Sequence, residues 1–225
     1  MKPKLVVLTG AGISAESGLR TFRDADGLWE GYDVYEVASP EGWQKNPSLV
    51  QDFYNGRRQD VKAAMPNAAH TGLAKLEEKY DVCIITQNID DLHERGGSTR
   101  VLHLHGEIFK MRSERNESLL YDIYDDIKIG DMAEDGGQLR PHVVWFGEAV
   151  PMIEPALREV RQADIFVVIG TSLQVYPAAN LVQYVKPGVP MYLIDRKIPD
   201  VGLPGHLYRI EKPATEGVLE LLNLL

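Results

Sequence analysis

Four apolar residues, Leu5-Val6-Val7-Leu8, pass without a break into Thr9-Gly10-Ala11-Gly12-Ile13-Ser14. A strand that is apolar at every position expects cover on both faces, as in a doubly wound parallel sheet. At the end of such a strand, the missing Cβ atoms of Gly10 and Gly12 would let backbone N–H groups approach a pyrophosphate. A helix after the turn would then aim its N-terminal dipole at the anion. The third glycine, Gly18, comes six residues after Gly12, so the spacing is not the usual G-x-G-x-x-G. A strand-to-helix turn with no ligand would read the same way.

Length and charge narrow the classes. The 225 residues, 44% hydrophobic and 25% charged, suit one α/β domain with a smaller inserted module. A net charge of -9 argues against a nucleic-acid surface and favours soluble or cationic partners. The lone cysteine, Cys83, sits in the apolar run Val82-Cys83-Ile84-Ile85, has no partner for an internal disulfide and fits a reducing, cytoplasmic setting. The apolar run behind Lys2 and Lys4 is far too short for a signal peptide or a membrane span, so no membrane role is expected.

Strand-like runs recur at 5–8, 82–86, 101–104, 165–169 and 191–194, separated by segments of helical character. This is the βαβ alternation of a Rossmann-like parallel sheet with helices on both faces. Helices are predicted over about 68–80 and 153–162. Residues 20–60 carry a dense supply of aromatic side chains, and Leu119, Leu120, Ile123, Tyr124 and Ile127 hold helix-like spacing in a polar stretch without a clear strand. The core is therefore expected in about 1–20, 65–105 and 141–225, and a small module in about 21–64 and 106–140, all within one domain spanning 1–225.

Polar clusters follow the strand runs: Thr86-Gln87-Asn88-Ile89-Asp90, His103-Leu104-His105-Gly106 and Gly170-Thr171-Ser172-Leu173-Gln174-Val175. Strand ends converge on one crevice in an open α/β sheet, so these groups should share a site offering amides, a carboxylate and a base titrating near neutrality. His103 and His105 alternate along one strand direction, and spacing alone does not choose between them.

Six segments then stand in the order found in the sirtuin family, which the chain resembles from about residue 4 to 195: Gly10-Ala11-Gly12-Ile13-Ser14, Thr21-Phe22-Arg23, Gln87-Asn88-Ile89-Asp90, His105-Gly106, Trp145-Phe146-Gly147-Glu148 and Gly170-Thr171-Ser172. The resemblance implies NAD-dependent removal of acyl groups from protein lysines, with nicotinamide and O-acyl-ADP-ribose as products. It implies Asp90 and the Ile89 backbone on the carboxamide of NAD, Asn88 and Gln87 ordering ribose and water, and His105 as general base. Phe22 and Arg23 match a loop covering NAD. Gly10, Ala11, Gly12, Ser14, Gly170, Thr171, Ser172 and Val175 match cofactor contacts, as does Asp195, which comes after the run at 191–194 taken as the last strand and stands where the family often has Asn. Val144, Phe146, Gly147 and Glu148 match the segment that lines the lysine channel and pairs with the substrate peptide by strand addition.

Within that family, Tyr54 and Arg57, three apart on a predicted helix, resemble the subclass accepting succinyl- and malonyl-lysine, with Ala38 leaving room for the longer chain. A guanidinium can grip a distal carboxylate through two parallel hydrogen bonds while the phenol adds a third. The family's four zinc cysteines are missing from 110–140, so no metal is expected, and the apolar set at 119–127 is expected to hold the module instead. His70 reads as capping or packing a helix, His93 and His206 as surface residues, and His142 as packing beside the channel strand. Two rival readings keep the NAD residues: a glycohydrolase or ADP-ribosyltransferase, which needs no lysine channel, and a non-catalytic NAD sensor, which needs neither His105 nor Asn88.

Overall fold

The computed structural model describes residues 2–21, 28–29, 31–199 and 207–225. In chain order the elements are β1 (Lys4–Thr9), β2 (Leu28–Trp29), β3 (Tyr32–Asp33), α1 (Val34–Val37), α2 (Pro40–Lys45), α3 (Pro47–Ala63), α4 (Ala68–Lys75), β4 (Asp81–Thr86), α5 (Leu92–Arg95), β5 (Val101–His103), β6 (Gly106–Ser113), β7 (Leu120–Asp122), β8 (Leu139–Val143), α6 (Ile153–Val160), β9 (Ile165–Ile169), β10 (Met191–Ile194), β11 (Leu207–Ile210) and α7 (Ala214–Leu224). The expected apolar runs pair into one six-stranded sheet of order β11-β10-β9-β1-β4-β5, parallel throughout. The chain starts in the middle, builds outward through β4 and β5, then returns to the other side of β1 at β9. That reversal opens a crevice at the carboxyl ends of β1 and β9.

Alternation along β1 explains why all four residues from Leu5 to Leu8 are apolar. Leu5 and Val7 face α4 and α7, packing with Ala69, Leu73, Val218 and Leu221. Val6 and Leu8 face the opposite layer, where α6 supplies Ala156 and Val160, and the turn of 3-10 helix over Ala178–Tyr184 supplies Leu181 and Val182. Each such side chain contributes about 1.5–3 kcal/mol by leaving water. Cys83 belongs to the second layer, and burial pushes its thiol up to about 12. The predicted helix at 68–80 is α-helical to Lys75 and then tightens into a 3-10 turn over Leu76–Glu78. One strand of this sheet is not foreshadowed by the sequence: β11 is four residues long and half exposed, too short and polar to stand out, so Asp195 comes after the penultimate strand.

The remainder is a three-stranded antiparallel sheet of order β7-β6-β8, a two-stranded β2-β3 ribbon and the helices α1 to α3. The helix-like reading of 119–127 is corrected here. Leu119, Tyr121 and Ile123 all pack against Ile127, Ala133 and Leu139, whereas Leu120 and Tyr124 are exposed. The period is two, not 3.6, and β7 is the result. Helix α3 starts on an Asn46 cap with Pro47 at its first position, and its buried face carries Val50, Phe53, Tyr54, Arg57, Arg58 and Val61. Arg58 is fully buried and donates to the Ile108 carbonyl at 2.9 Å, tying the helix to β6. Where the missing cysteines would fall, the Ser113 hydroxyl donates to the Asp135 carboxylate, 2.9 Å from either oxygen, and accepts from Arg115 N–H at 3.1 Å. No group of three or more His, Cys, Asp or Glu that could hold a metal occurs among the described residues. Nor is any described helix long and apolar enough to cross a membrane.

Candidate active site

The glycine turn after β1 differs from expectation in two ways. It leads into a pair of single 3-10 turns, Ala11–Ile13 and Ala15–Ser17, not into an α-helix. The N–H groups of Gly10 and Gly12 point at the sheet, donating to the carbonyls of Ile169 at 3.0 Å and Gly170 at 2.9 Å. A Cβ on Gly12 would lie 2.6 Å from the Gly170 Cα, so glycine is required there for the turn to lean on the end of β9. The effect is to deliver Ala11 and Ser14 to the crevice.

The loop after β4 is stitched to its neighbours. Gln87 N–H donates to the Thr9 carbonyl at 2.9 Å, and its side-chain amide donates to Thr171 Oγ1 at 3.0 Å. The Asn88 amide donates to Ser14 Oγ at 3.2 Å, and Ser14 in turn donates to Asp90 Oδ2 at 3.0 Å. Leu92 N–H covers Asp90 Oδ1 at 3.2 Å. Burial lifts the Asp90 carboxyl above its ordinary range against these two donors. Below this relay His70 closes the expected cap, accepting from Asn67 N–H at 3.2 Å. His93, expected at the surface, is fully buried, with Nε2 3.0 Å from Thr9 Oγ1 and its ring edge-on to His70. The short helix α5 turns it under β1, a fold-back that local sequence does not encode.

His103 and His105 clasp the carbonyls of neighbouring residues, and their pKa values move in opposite directions. His105 Nδ1–H donates to the Gln87 carbonyl at 3.0 Å, which leaves Nε2 as the lone-pair nitrogen, and burial lowers its pKa. It is a neutral base. His103 donates from Nδ1 to the Asn88 carbonyl at 3.0 Å and from Nε2 to the Glu94 carboxylate at 2.8 Å. Burial opposes its protonation, but those two acceptors raise its pKa above the usual value and hold both nitrogens as donors. His103 has no nitrogen left for a substrate.

One cavity of about 240 Å³ collects most of the predicted residues: Ala11, Ser14, Gln87, Asn88, Ile89, Asp90, His105 and Val175 from the strand ends, with Ala38, Tyr54 and Arg57 from the module and Val144, Phe146, Gly147 and Glu148 from the segment after β8. Gly10, Gly12, Gly170, Thr171, Ser172 and Asp195 are not in its lining. The first four support the turn; Asp195 is buried at the end of β10, accepting from Lys197 N–H at 3.1 Å. Phe22, Arg23 and His206 lie outside the described residues. Sequence reading missed Arg20, Trp29, Val61, Val143, Trp145 and Val150 in the lining. Val61 was within reach, since it continues the Tyr54 and Arg57 face one turn on.

The segment 144–148, expected to line a lysine channel, is largely self-satisfied. Val144 N–H donates to the His105 carbonyl at 2.9 Å, Trp145 N–H to Glu148 Oε2 at 2.8 Å, Phe146 N–H to the Ala38 carbonyl at 2.9 Å and Glu148 N–H to the Trp145 carbonyl at 3.0 Å. Among the amides of 144–148, only that of Gly147 is left to meet a peptide backbone. Arg57 is buried, 3.6 Å from Asp60 Oδ2, with its guanidinium 5.6 Å from the Trp29 ring centre. A neutral base, a buried amide and carboxyl pair and an inward cation thus share one partly apolar chamber, a set suited to a ligand carrying amide and hydroxyl groups beside an anionic or neutral chain.

Sheet order and crevice define an α/β protein of the dinucleotide-binding class. A model of the Sir2 family matches residues 10–177, and the chain belongs to that family, the sirtuins. It is 54% identical over 221 residues to an NAD-dependent protein deacylase of Helicobacter pylori, covering 98% of this chain and 96% of that protein. A protein of the same description from Bacteroides thetaiotaomicron is also 54% identical, over 98% of this chain and 97% of its own. Among solved structures, a Sir2 homologue bound to NAD superposes with a TM-score of 0.87 at 40% identity, over 99% of this chain and 89% of that one.

Proposed function

We propose that this chain uses NAD to strip acyl groups from protein lysines and that its chamber favours acyl groups ending in a carboxylate. NAD-dependent protein deacylation is the activity of the family members to which it is 50–54% identical, and it is the activity of this chain. The carboxylate preference is carried by one observation: Tyr54 and Arg57, buried on one face of α3, line the same cavity as Asn88, Asp90 and His105.

NAD fits the donor set. Asp90 and the Ile89 backbone suit a carboxamide, Asn88 and Gln87 suit ribose hydroxyls and an ordered water, and the turn residues with Gly170, Thr171, Ser172 and Val175 suit the rest. Asp195, at the end of β10, suits the adenosine ribose. When bound, NAD supplies the ribose carbon that the acyl oxygen attacks as nicotinamide leaves. His105, neutral with Nε2 available, takes a proton from a ribose hydroxyl. The apolar walls around it exclude water until the acyl group is in place. Val144, Phe146, Gly147 and Glu148 form the lysine channel, and Ala38 leaves room beside Tyr54 for a longer chain. The buried, single cysteine supports a cytoplasmic setting.

Turnover of matched succinyl-, malonyl- and acetyl-lysine peptides with NAD, followed by mass, tests this reading. Arg57→Met removes a charge-assisted contact, so the succinyl-to-acetyl ratio of kcat/KM should fall roughly 10- to 100-fold. A parallel loss on both peptides would make Arg57 structural and withdraw the carboxylate preference.

A further inference from the structure

The Tyr54 hydroxyl is fully buried and accepts one hydrogen bond, from Trp145 Nε1–H at 3.1 Å. Its own proton meets no acceptor among the described residues. Burial raises its pKa, so the phenol keeps that proton at neutral pH. The indole that makes this contact is itself fixed from several sides. The Arg140 guanidinium lies 3.2 Å from the Trp145 ring centre, and Trp43 packs at 5.7 Å. Glu148 closes the loop: Oε1 accepts from Arg140 at 2.8 Å, and Oε2 accepts from the Trp145 main chain at 2.8 Å. One carboxylate thus holds both the backbone of Trp145 and the cation lying on its ring.

We propose that Trp145 is a positioning residue for acyl selectivity: by filling an acceptor site of the Tyr54 oxygen, it turns the phenolic proton toward the carboxylate of the acyl chain, with Arg140 and Glu148 holding the indole in place. This rests on the reading that Tyr54 and Arg57 receive that carboxylate. A cation over the indole face draws electron density from the ring and strengthens its N–H as a donor. A phenol that accepts a strong hydrogen bond becomes in turn a better donor, because consecutive hydrogen bonds polarise one another. An acetyl group has no carboxylate to exploit this, so the chain Arg140, Trp145, Tyr54 acts only on acidic acyl groups.

The test is a cycle of Trp145→Phe, Tyr54→Phe and the double variant, each assayed with succinyl- and acetyl-lysine peptides. Trp145→Phe should raise the KM for the succinyl peptide roughly 10-fold relative to that for the acetyl peptide, with kcat for both moving together. In the Tyr54→Phe background the same substitution should leave the succinyl-to-acetyl ratio unmoved. Equal losses on both peptides, or a full further loss of selectivity in the double variant, would overturn the proposal. Should Trp145→Phe not fold, the indole N–H proton signals of the wild-type protein and Tyr54→Phe decide. One of the three indole signals should move in Tyr54→Phe, and that signal should respond to succinyl-lysine peptide but not to acetyl-lysine peptide. A signal indifferent to both peptides overturns the proposal. Arg57→Met separates the two failures: if it is selective while Trp145→Phe is not, the carboxylate reading stands and only the positioning role falls.

Discussion

The six-stranded sheet and the smaller module meet at one cavity but are held together by different chemistry. Around β1 every buried contact is apolar, and polar groups enter only where the strands end. In the module, buried charge does much of the joining: Arg58, Arg112 and Arg140 are each less than 8% exposed, and Gln51 reaches the Leu139 carbonyl at 2.7 Å. An apolar sheet tolerates exchange of side chains of similar volume, whereas a charge without its partner is costly in a dry interior. His105, Asn88 and Asp90 therefore stand at the edge of the tolerant half. Tyr54 and Arg57 stand on the exacting one.

The sharpest test of that division is His105→Ala. If its imidazole is the proposed base, turnover on every acyl peptide should fall about 10²- to 10⁴-fold while the melting temperature stays put, since its hydrogen bond to the fold is to a loop carbonyl. A loss of stability alongside the loss of rate would join the halves into one unit. Next in size, Glu148→Ala removes the carboxylate that Arg140 and Arg112 share, and should lower stability by about 3–5 kcal/mol, read from the urea midpoint. A change below about 1 kcal/mol would mean that the module rests on its apolar clusters, as the sheet does. The smallest expected effect is none: with Ser113 and Asp135 hydrogen-bonded where cysteines are missing, strong chelator should shift neither melting temperature nor activity. Elemental analysis showing one zinc per chain, and unfolding on its removal, would rewrite the account of the module.

The same contrast decides what is legible from sequence. β1, β4, β9 and β10 announce themselves because a strand covered on both faces keeps polar residues to its ends, where they do not blur the pattern. The module's strands are covered on one face, and their inner positions include Arg112 and Ser113, so their alternation is hidden among charges. Tyr54 and Arg57 can be placed on one helix face by spacing alone. Trp145, although it stands inside a recognised motif, cannot be given a role that way, because its partner Tyr54 is 91 residues away in sequence. His93 misleads for a similar reason: a polar residue in a short helix looks like surface unless the fold is known to turn it under β1.

The mutual lean of Gly12 and Gly170 has a consequence for how this protein can change over generations. A Cβ at Gly170, which also holds a left-handed backbone with φ +62°, would sit 2.5 Å from the Ile13 nitrogen and 2.7 Å from the Gly12 carbonyl carbon. Each added atom meets main chain, not the other's side chain. No second substitution at the partner position could therefore make room, and the two sites cannot drift as a compensating pair. In a survey of all single and double variants they would form two empty rows whose intersection is empty as well, a point where the lineage has no neighbouring sequence to move to.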